Sequence, residues 1–382
     1  MRLSVAEALV RLTFWQKLGH LNWPLVLLLI MTTSFGIAML YSAAQGWDPW
    51  ASRQLVRFGA GLALMLVIAL TDIRVWMRYA YTIYILSLVL LVAVEVAGST
   101  GMGAQRWISL GGFNFQPSET MKIALVLGLA RYFHSVGLED VGRLRFLVAP
   151  LVMILAPAAL VLRQPDLGTA IMLILGGGAI LFMVGVRMWK FAVVTALGLG
   201  ALPVAWNVLR PYQRQRILTF LDPESDPLGA GYHILQSKIA LGSGGIAGKG
   251  FLLGTQSQLN FLPERHTDFI FTMLAEEFGL VGGLSLLSLY FLMLAYAVAV
   301  SLRVRNQFGR ILGVGVCFTV FLYVFINVAM VMGLVPVVGV PLPLISYGGT
   351  AMLSVMIGFG LLLSASIHRD MPVGRHGTSN DF

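Results

Sequence analysis

Three polar residues at helical spacing make residues 268–276 the first place in the chain to look for chemistry. Asp268, Thr272 and Glu276 are separated by four residues each, in an otherwise apolar run. Residues four apart lie on one face of a helix, so the three would form a polar stripe about 12 Å long. A carboxylate on that stripe could act as a general base towards a hydroxyl group. The structural alternative is that Thr267 caps the helix and Asp268 offsets the positive end of its dipole.

A second charged pair stands at the start of another apolar run, which opens at Pro117. Proline is favoured in the first turn of a helix, and Glu119 and Lys122 are three residues apart, so their side chains can pair. Two interpretations stay open. The pair is a structural ion pair inside a helix bundle, or it borders a reaction cavity.

Composition decides what kind of elements position these residues. Of the 382 residues, 58% are hydrophobic and 11% are charged, whereas about 25% are charged in soluble domains. One soluble core could not bury so much apolar surface. The composition therefore indicates an integral membrane protein, and the single cysteine, Cys317, excludes a disulfide framework.

Ten apolar runs are long enough to cross a bilayer, which takes about 20 helical residues. They cannot be barrel strands because they do not alternate. The sequence predicts one all-α polytopic domain over 1–382, with about ten transmembrane helices. The runs cover roughly 22–42, 54–71, 77–97, 117–134, 146–162, 168–186, 189–209, 268–300, 311–333 and 345–367.

The distribution of Lys and Arg sets the predicted orientation. With the N-terminus inside, the inner segments carry 15 of the 26 basic residues and the short outer segments carry 5. The positive-inside rule therefore favours both termini in the cytoplasm. Residues 1–20 are predicted to form an interfacial helix and residues 368–382 a cytoplasmic tail. The net charge of +9 is explained by this bias and by anionic lipid, so no nucleic-acid partner is expected.

The longest connection, about residues 210–267, is predicted to lie on the outer face between helices seven and eight. Loops of this length tend to be functional. Its glycine run, from Gly242 to Gly254, fits either a turn-rich hairpin or a backbone that contacts a ligand.

Basic residues also occur on the predicted outer face, against the usual charge bias. Arg side chains match phosphate oxygens well, so the set fits an anionic lipid headgroup such as a pyrophosphate, whereas any single member could be a surface residue. His266 lies two residues from Asp268, but no third ligand stands at a suitable spacing, and no metal site is assigned. The basic residues singled out are Arg53, Arg57, Arg106, Arg210, Arg214, Arg216 and Lys249.

Long stretches of the sequence resemble one known family. They include Gly103-Ala-Gln-Arg-Trp-Ile, Phe115-Gln-Pro-Ser-Glu119, Arg163-Gln-Pro-Asp-Leu-Gly-Thr169, Tyr212-Gln-Arg-Gln-Arg216, Leu221-Asp-Pro-Glu-Ser-Asp-Pro-Leu-Gly-Ala-Gly-Tyr232, Phe261-Leu-Pro-Glu-Arg-His-Thr-Asp-Phe-Ile-Phe271 and Gly339-Val-Pro-Leu-Pro-Leu-Ile-Ser-Tyr-Gly-Gly349. Over residues 22–368 the chain resembles the SEDS family (shape, elongation, division and sporulation). It is more similar to the elongation members than to the division members.

The resemblance implies a SEDS fold, which is GT-C-like, and a peptidoglycan glycosyltransferase that polymerises lipid II at the outer face of the bacterial plasma membrane. It implies a class B penicillin-binding protein and other elongation-complex proteins as partners, and undecaprenyl pyrophosphate as a product. By position, Asp268 matches the family's essential acid, Trp107 lies in a loop that matters for activity, and Glu119 and Lys122 match a pair linked to the active cavity.

The expected mechanism is a single inverting displacement. Asp268 takes the proton of the acceptor 4-hydroxyl, and Arg106 and Arg210, with Arg53 and Arg216 behind them, stabilise the departing pyrophosphate. A divalent cation, Mg²⁺ or Mn²⁺, could share that task. Two other hypotheses stay open: a lipid II transporter, which would favour broken helices and polar groups near the midplane, and a scaffold whose eighth and ninth helices meet a partner.

Overall fold

The computed structural model describes residues 13–101, 104–110, 113–137, 140–208, 211–225, 230–259, 264–371 and 374. Helices dominate these residues, as expected for an all-α membrane protein. In chain order they are α1 Phe14–Gly19, α2 Trp23–Ala44, α3 Trp50–Leu70, α4 Ile73–Ala97, α5 Pro117–Ser135, α6 Leu144–Arg163, α7 Leu167–Val184, α8 Met188–Val208, α9 Pro211–Leu221, α10 Ala230–Ser243, α11 Thr255–Gln258, α12 Ile270–Leu302, α13 Gln307–Val331 and α14 Gly349–Ile367.

Each predicted apolar run corresponds to one long helix in the described part of the chain. Eight of these helices are long and apolar enough to cross a membrane. The other two are α5, which carries Glu119, Lys122 and Arg131, and α8, whose apolar part is Met188–Ala201. The class of fold is therefore confirmed, whereas the number of spanning helices and the orientation stay predictions. Below, the outer end is the end of the bundle that carries Asp268.

The outer connection between α4 and α5 forms a small antiparallel sheet, which the sequence did not predict. Its strands are β1 Ser99–Gly101, β2 Ala104–Leu110 and β3 Phe113–Phe115, and β2 lies in the middle. Ser99 pairs with Trp107 on one side, and Ile108 pairs with Phe115 on the other. The sheet presents Arg106 and Trp107 beside the helix ends.

The long connection before α12 is built mainly from helices. It contains α9, a short 3₁₀ turn at Pro223–Ser225, α10 and α11. Helix α10 packs against the outer part of α12, where the Ser237 and Thr272 hydroxyl oxygens are 2.9 Å apart. The described part of the predicted outer loop thus forms a helical layer on the end of the bundle.

Helix α12 is broken, whereas the sequence predicted one helix over the apolar run 268–300. Gly279 has φ 64° and ψ −160°, which no helical residue adopts, so the outer nine residues form a separate segment. The glycine run fills the break: Leu280 N donates to Gly245 O (2.9 Å) and Gly250 N donates to Glu277 O (2.9 Å). Exposed backbone groups are costly in a membrane, and these bonds satisfy them.

Glycine is required where the run meets the broken helix. A Cβ on Gly248 would lie 2.2 Å from the Glu277 carbonyl oxygen, and one on Gly279 would lie 2.4 Å from Gly248 N. The run is therefore not a free hairpin, and contact of its backbone with a ligand stays a prediction. It is a strap, residues 244–250, that docks on α12.

The core of the bundle lies on α5, α13 and α14, which bury side chains on most of their faces. Helices α2, α3 and α12 pack on one side of this centre, and α4, α6 and α7 pack on the other. Helix α8 differs, because its described side chains from Met188 to Ala201 are mostly exposed.

Candidate active site

Asp268 lies in the turn that leads into α12, one residue before its cap. The helix begins at Ile270 with Phe269 as N-cap, so the prediction of Thr267 as the capping residue is wrong. The Thr267 hydroxyl donates instead to Glu264 Oε2 (2.7 Å). Asp268 is consequently outside the helix, and the expected stripe with Thr272 and Glu276 is not formed on one helical face.

The Asp268 carboxylate lies over the backbone of Gly339, in the segment between α13 and α14. A Cβ placed on Gly339 would be 3.5 Å from Asp268 Oδ2, and Gly339 has φ +69°. The left-handed backbone explains glycine at this position, because a Cβ there would make only an ordinary van der Waals contact with the carboxylate.

Aromatic rings and two guanidinium groups hold the residues around Asp268. The His266 ring stacks on Trp50 of α3, with centroids 4.3 Å apart, and its other neighbour is Tyr347 at 5.9 Å. Arg57 lies over the Tyr347 ring at 4.3 Å, and Arg265 lies 5.8 Å from the Trp50 ring. These contacts place two basic side chains among the aromatic residues that pack on the Asp268 turn.

Burial changes the acid–base properties of two residues in this turn. The pKa of His266 is lowered chiefly by burial, which opposes the charged form; Glu264 raises it and Arg265 lowers it further. Burial also lowers the pKa of Arg265. His266 is therefore a neutral ring at neutral pH.

Glu276 and Lys249, both proposed as site residues from the sequence, form an ion pair with each other rather than with Asp268. Lys249 Nζ is 2.7 Å from Glu276 Oε1, which also accepts from Gln256 N at 2.9 Å, and the Glu276 side chain is fully buried. The pair joins the strap to α12. The adjacent Glu277, which the sequence analysis missed, accepts a hydrogen bond from Ser42 of α2.

The predicted pairing of Glu119 with Lys122 is confirmed, inside the bundle. Lys122 Nζ is 2.6 Å from Glu119 Oε1, and both side chains are almost completely buried. The Tyr323 hydroxyl of α13 donates to the other carboxylate oxygen. The role of the pair in a reaction cavity stays a prediction.

Arg106 fastens the β-sheet to the turn between α6 and α7. Its guanidinium donates to the backbone oxygens of Gln164 (Nε, 3.3 Å) and Pro165, and Nη1 is 4.0 Å from Asp166 Oδ2. Asp166 in turn caps α7 by accepting from Thr169 N. The neighbouring Trp107 is half-buried on the same strand.

The other basic residues proposed from the sequence are distributed over the outer end. Arg53 is exposed in the first turn of α3, Arg216 lies in α9, and Arg210 falls outside the described residues. Within the described residues, no group of three or more His, Cys, Asp or Glu could hold a metal ion.

An apolar groove of about 760 Å³ runs along α12 and α13, on the outside of the bundle. Aromatic and aliphatic side chains line it, and nearly all of its surface is apolar. Among the lining residues are Leu287, Phe291, Leu294, Phe318, Phe321 and Phe325.

This bundle, with its ordered outer layer and a carboxylate at the outer end, defines a recognised class of membrane protein. Residues 18–371 match the cell cycle protein family FtsW/RodA/SpoVE. The chain belongs to this family, and the resemblance found in the sequence is thereby confirmed.

Several relatives have established or assigned names. The chain is 47% identical over 364 residues to peptidoglycan glycosyltransferase MrdB of Escherichia coli K12, covering 94% of this chain and 96% of the relative. It is 36% identical to the probable peptidoglycan glycosyltransferase FtsW of Trichlorobacter lovleyi, covering 92% and 94%. It is 34% identical to stage V sporulation protein E of Bacillus subtilis, covering 90% and 96%.

Solved structures of similar chains have the same fold. A chain of a peptidoglycan synthase complex that coordinates polymerization and crosslinking superposes with a TM-score of 0.80 at 34% identity, covering 92% of this chain and 99% of the other. The rod shape determining protein RodA of Thermus thermophilus superposes with a TM-score of 0.70 at 30% identity, covering 92% and 98%.

Proposed function

We propose that this protein is a peptidoglycan glycosyltransferase that extends glycan strands from lipid II during cell elongation and maintenance of rod shape. It would act at the outer face of the bacterial inner membrane, as a multi-pass protein. Membership of the family supports this, as do the relatives named peptidoglycan glycosyltransferase. The observation that carries the proposal is the Asp268 carboxylate at the outer end, in a turn whose aromatic neighbours Tyr347 and Trp50 are contacted by Arg57 and Arg265.

In the proposed reaction, Asp268 is the general base. It takes the proton from the 4-hydroxyl of the GlcNAc of one lipid II molecule as that oxygen attacks C1 of the MurNAc at the end of the growing strand. The new C1–O4 bond forms while the bond from C1 to the pyrophosphate oxygen breaks, and undecaprenyl pyrophosphate leaves. One displacement inverts the anomeric centre and yields the β-linked product.

The leaving pyrophosphate needs positive charge at the outer end. Arg106, Arg210, Arg53 and Arg216 were proposed for this from the sequence, and the contacts in the structure favour exposed Arg53 over Arg106. The Arg106 guanidinium is already engaged by backbone oxygens and Asp166. Where Mg²⁺ or Mn²⁺ takes part, it would be held mainly by the pyrophosphate oxygens, as is usual for Mg²⁺ with phosphate substrates.

The proposed partner is a class B penicillin-binding protein that crosslinks the product, together with other proteins of the elongation complex. The similar chain solved within a peptidoglycan synthase complex supports this. The apolar groove along α12 and α13 is where we expect a membrane helix of the partner to pack, because a groove between two helices offers the close van der Waals packing that drives helix association in membranes.

The test is glycan polymerisation from lipid II by the purified protein with its cognate penicillin-binding protein, which must itself lack glycosyltransferase activity. Asp268→Asn and Asp268→Ala are compared with wild type and with Asp370→Asn, which removes an exposed acid at the opposite end. Polymer from wild type and Asp370→Asn, and none from the Asp268 variants, is expected. Full polymerisation by Asp268→Asn would exclude Asp268 as the base.

Lipid transport is a second candidate function, because transporters often contain broken helices and α12 is broken at Gly279. It predicts translocation of lipid II in vesicles that contain only the purified protein. Translocation without any polymer in the assay above would favour transport over polymerisation.

A further inference from the structure

Three consecutive carbonyl oxygens in the turn that carries Asp268 accept hydrogen bonds from three different donors. His266 O accepts from Tyr347 N at 2.8 Å. Thr267 O accepts from Ser346 Oγ at 2.6 Å, and Asp268 O accepts from Asn327 Nδ2 at 2.9 Å. All three donors belong to α13 or to the segment between α13 and α14.

The Ser346 hydroxyl is fixed by further bonds. It accepts from Leu342 N at 2.8 Å while it donates to Thr267 O, and Ser346 O accepts from Gln54 Nε2 at 3.0 Å. Ser346 is 3% exposed. The hydroxyl is therefore held by Leu342 N and the Ser346 backbone by Gln54 of α3, so the hydroxyl is not free to rotate towards other acceptors.

Asn327 is fixed in a similar way from the middle of the bundle. Its Nδ2 donates to Val340 O at 2.8 Å as well as to Asp268 O, and the residue is completely buried. One amide group thus joins α13, the segment after it and the Asp268 turn. Both hydrogen bonds start from the same Nδ2 atom. Displacement of one acceptor oxygen would therefore strain the bond to the other.

Two side chains of the turn also contact the segment between α13 and α14. The His266 ring, which stacks on Trp50 of α3, has Tyr347 as its tilted neighbour, and the Asp268 carboxylate faces Gly339. Backbone and side chains of residues 266–268 therefore rest on one rigid support, which consists of Asn327 and residues 339–347.

The geometry points to a role for this support in positioning: Ser346 and Asn327 hold the Asp268 carboxylate in the place where it accepts the acceptor proton. This inference rests on the proposed function. Neither side chain touches the reacting atoms, so both are positioning residues. A displacement of about 1 Å in a reacting group can cost about 100-fold in rate, so loss of one of these bonds should be visible in kcat.

The main test variant is Ser346→Ala, measured in the complex with the penicillin-binding protein. We expect kcat to fall by about 10- to 100-fold and KM for lipid II to change little. Ser346→Thr keeps the hydroxyl and should recover most of the rate. The matched control is Ser364→Ala, because the Ser364 hydroxyl is also buried and donates to a backbone oxygen, Thr71 O at 2.7 Å, near the inner end of α14.

A pH profile separates positioning from a loss of folded protein. Loss of folded protein lowers kcat by the same factor at every pH. A displaced carboxylate also moves the acid-side inflection of the plot of kcat against pH. We expect the inflection to move in Ser346→Ala and to stay in Ser364→Ala. Asn327→Leu, which removes the amide donor at similar volume, provides a second variant and should change kcat in the same direction.

Wild-type kcat and an unmoved inflection in both Ser346→Ala and Asn327→Leu would overturn the inference. So would a fall in kcat that only matches the fall in folded protein. If these variants are normal while Asp268→Asn is inactive, the positioning role fails and the proposed function stands. If Asp268→Asn is fully active, the proposed function fails first.

Discussion

Lys122 and Tyr323 bind the two oxygens of a single buried carboxylate, that of Glu119, and they also touch each other. Lys122 Nζ is 2.6 Å from Glu119 Oε1 and 4.1 Å from the centroid of the Tyr323 ring. The Tyr323 hydroxyl donates to Oε2. The three side chains join α5 to α13 in the centre of the bundle, where charges are strongly desolvated.

Removing one member of this group should lower the free energy of unfolding more than removing both charges. Lys122→Met leaves the Glu119 charge buried without its cation, and we expect the free energy of unfolding to fall by about 3–5 kcal/mol. Glu119→Gln combined with Lys122→Met should recover most of that loss. Thermal midpoints in detergent measure both. A single variant as stable as wild type would contradict the expectation.

Arg106 should not be replaceable by lysine. Its planar guanidinium contacts Gln164 O, Pro165 O and Asp166 together, and a single ammonium group cannot reproduce that geometry. We expect Arg106→Lys to loosen the β-sheet from the α6–α7 turn and to lower polymerisation about as much as Arg106→Ala. Limited proteolysis between α4 and α5, with Arg163→Lys as the control, reports the loosening. Unchanged cleavage would count against this role.

The strap should tolerate no side chain at Gly248. The residue has φ +81°, and this backbone conformation would destabilise an alanine variant by about 1–2 kcal/mol. The clash of the alanine Cβ with Glu277 O would add to that loss. Gly242→Ala is the matched control, because a Cβ at Gly242 meets nothing within 4 Å. We expect Gly248→Ala to lower the thermal midpoint and Gly242→Ala to leave it unchanged or raise it. Equal midpoints would show that the strap is not tightly docked.

Acid should destabilise the protein partly through His266. Its pKa in the folded chain is below the ordinary value of 6.5, so below that pH the unfolded chain binds more protons. The stabilising contribution is therefore complete above about pH 6.5 and is lost as the pH falls towards the folded pKa. In His266→Gln the thermal midpoint should fall less between pH 7 and pH 5 than in wild type. The same slope in both proteins would mean that His266 titrates normally.

The positions of the long helices could be predicted because bilayer thickness sets the length of an apolar run. The pairing of Glu119 with Lys122 could be predicted as well, since it depends only on helical spacing. The break at Gly279 could not, because hydropathy carries no information on φ, and glycine is common within these helices. The bond between Lys249 and Glu276 depends on the docked strap, which brings together residues 27 positions apart.

Two other features of the site could not be predicted from the sequence, because they depend on contacts between distant segments. Asp268 was assigned to a helix because the apolar run continues through it, whereas the turn at residues 264–269 depends on contacts with Ser346 and Asn327. Arg106 was assigned to the pyrophosphate because of its residue type alone. Only the position of the α6–α7 turn reveals that protein oxygens already occupy its donors.

The break in α12 divides one helix into two arms. The longer arm, from Leu280 onward, lies in the membrane bundle, and the shorter arm, the nine residues from Ile270, is bonded to the strap. Asp268 is attached to the shorter arm. The strap bonds both arms beside Gly279, and Asn327 and Ser346 bond the Asp268 turn to the bundle, so the break is a braced corner that keeps the carboxylate in one place rather than a hinge.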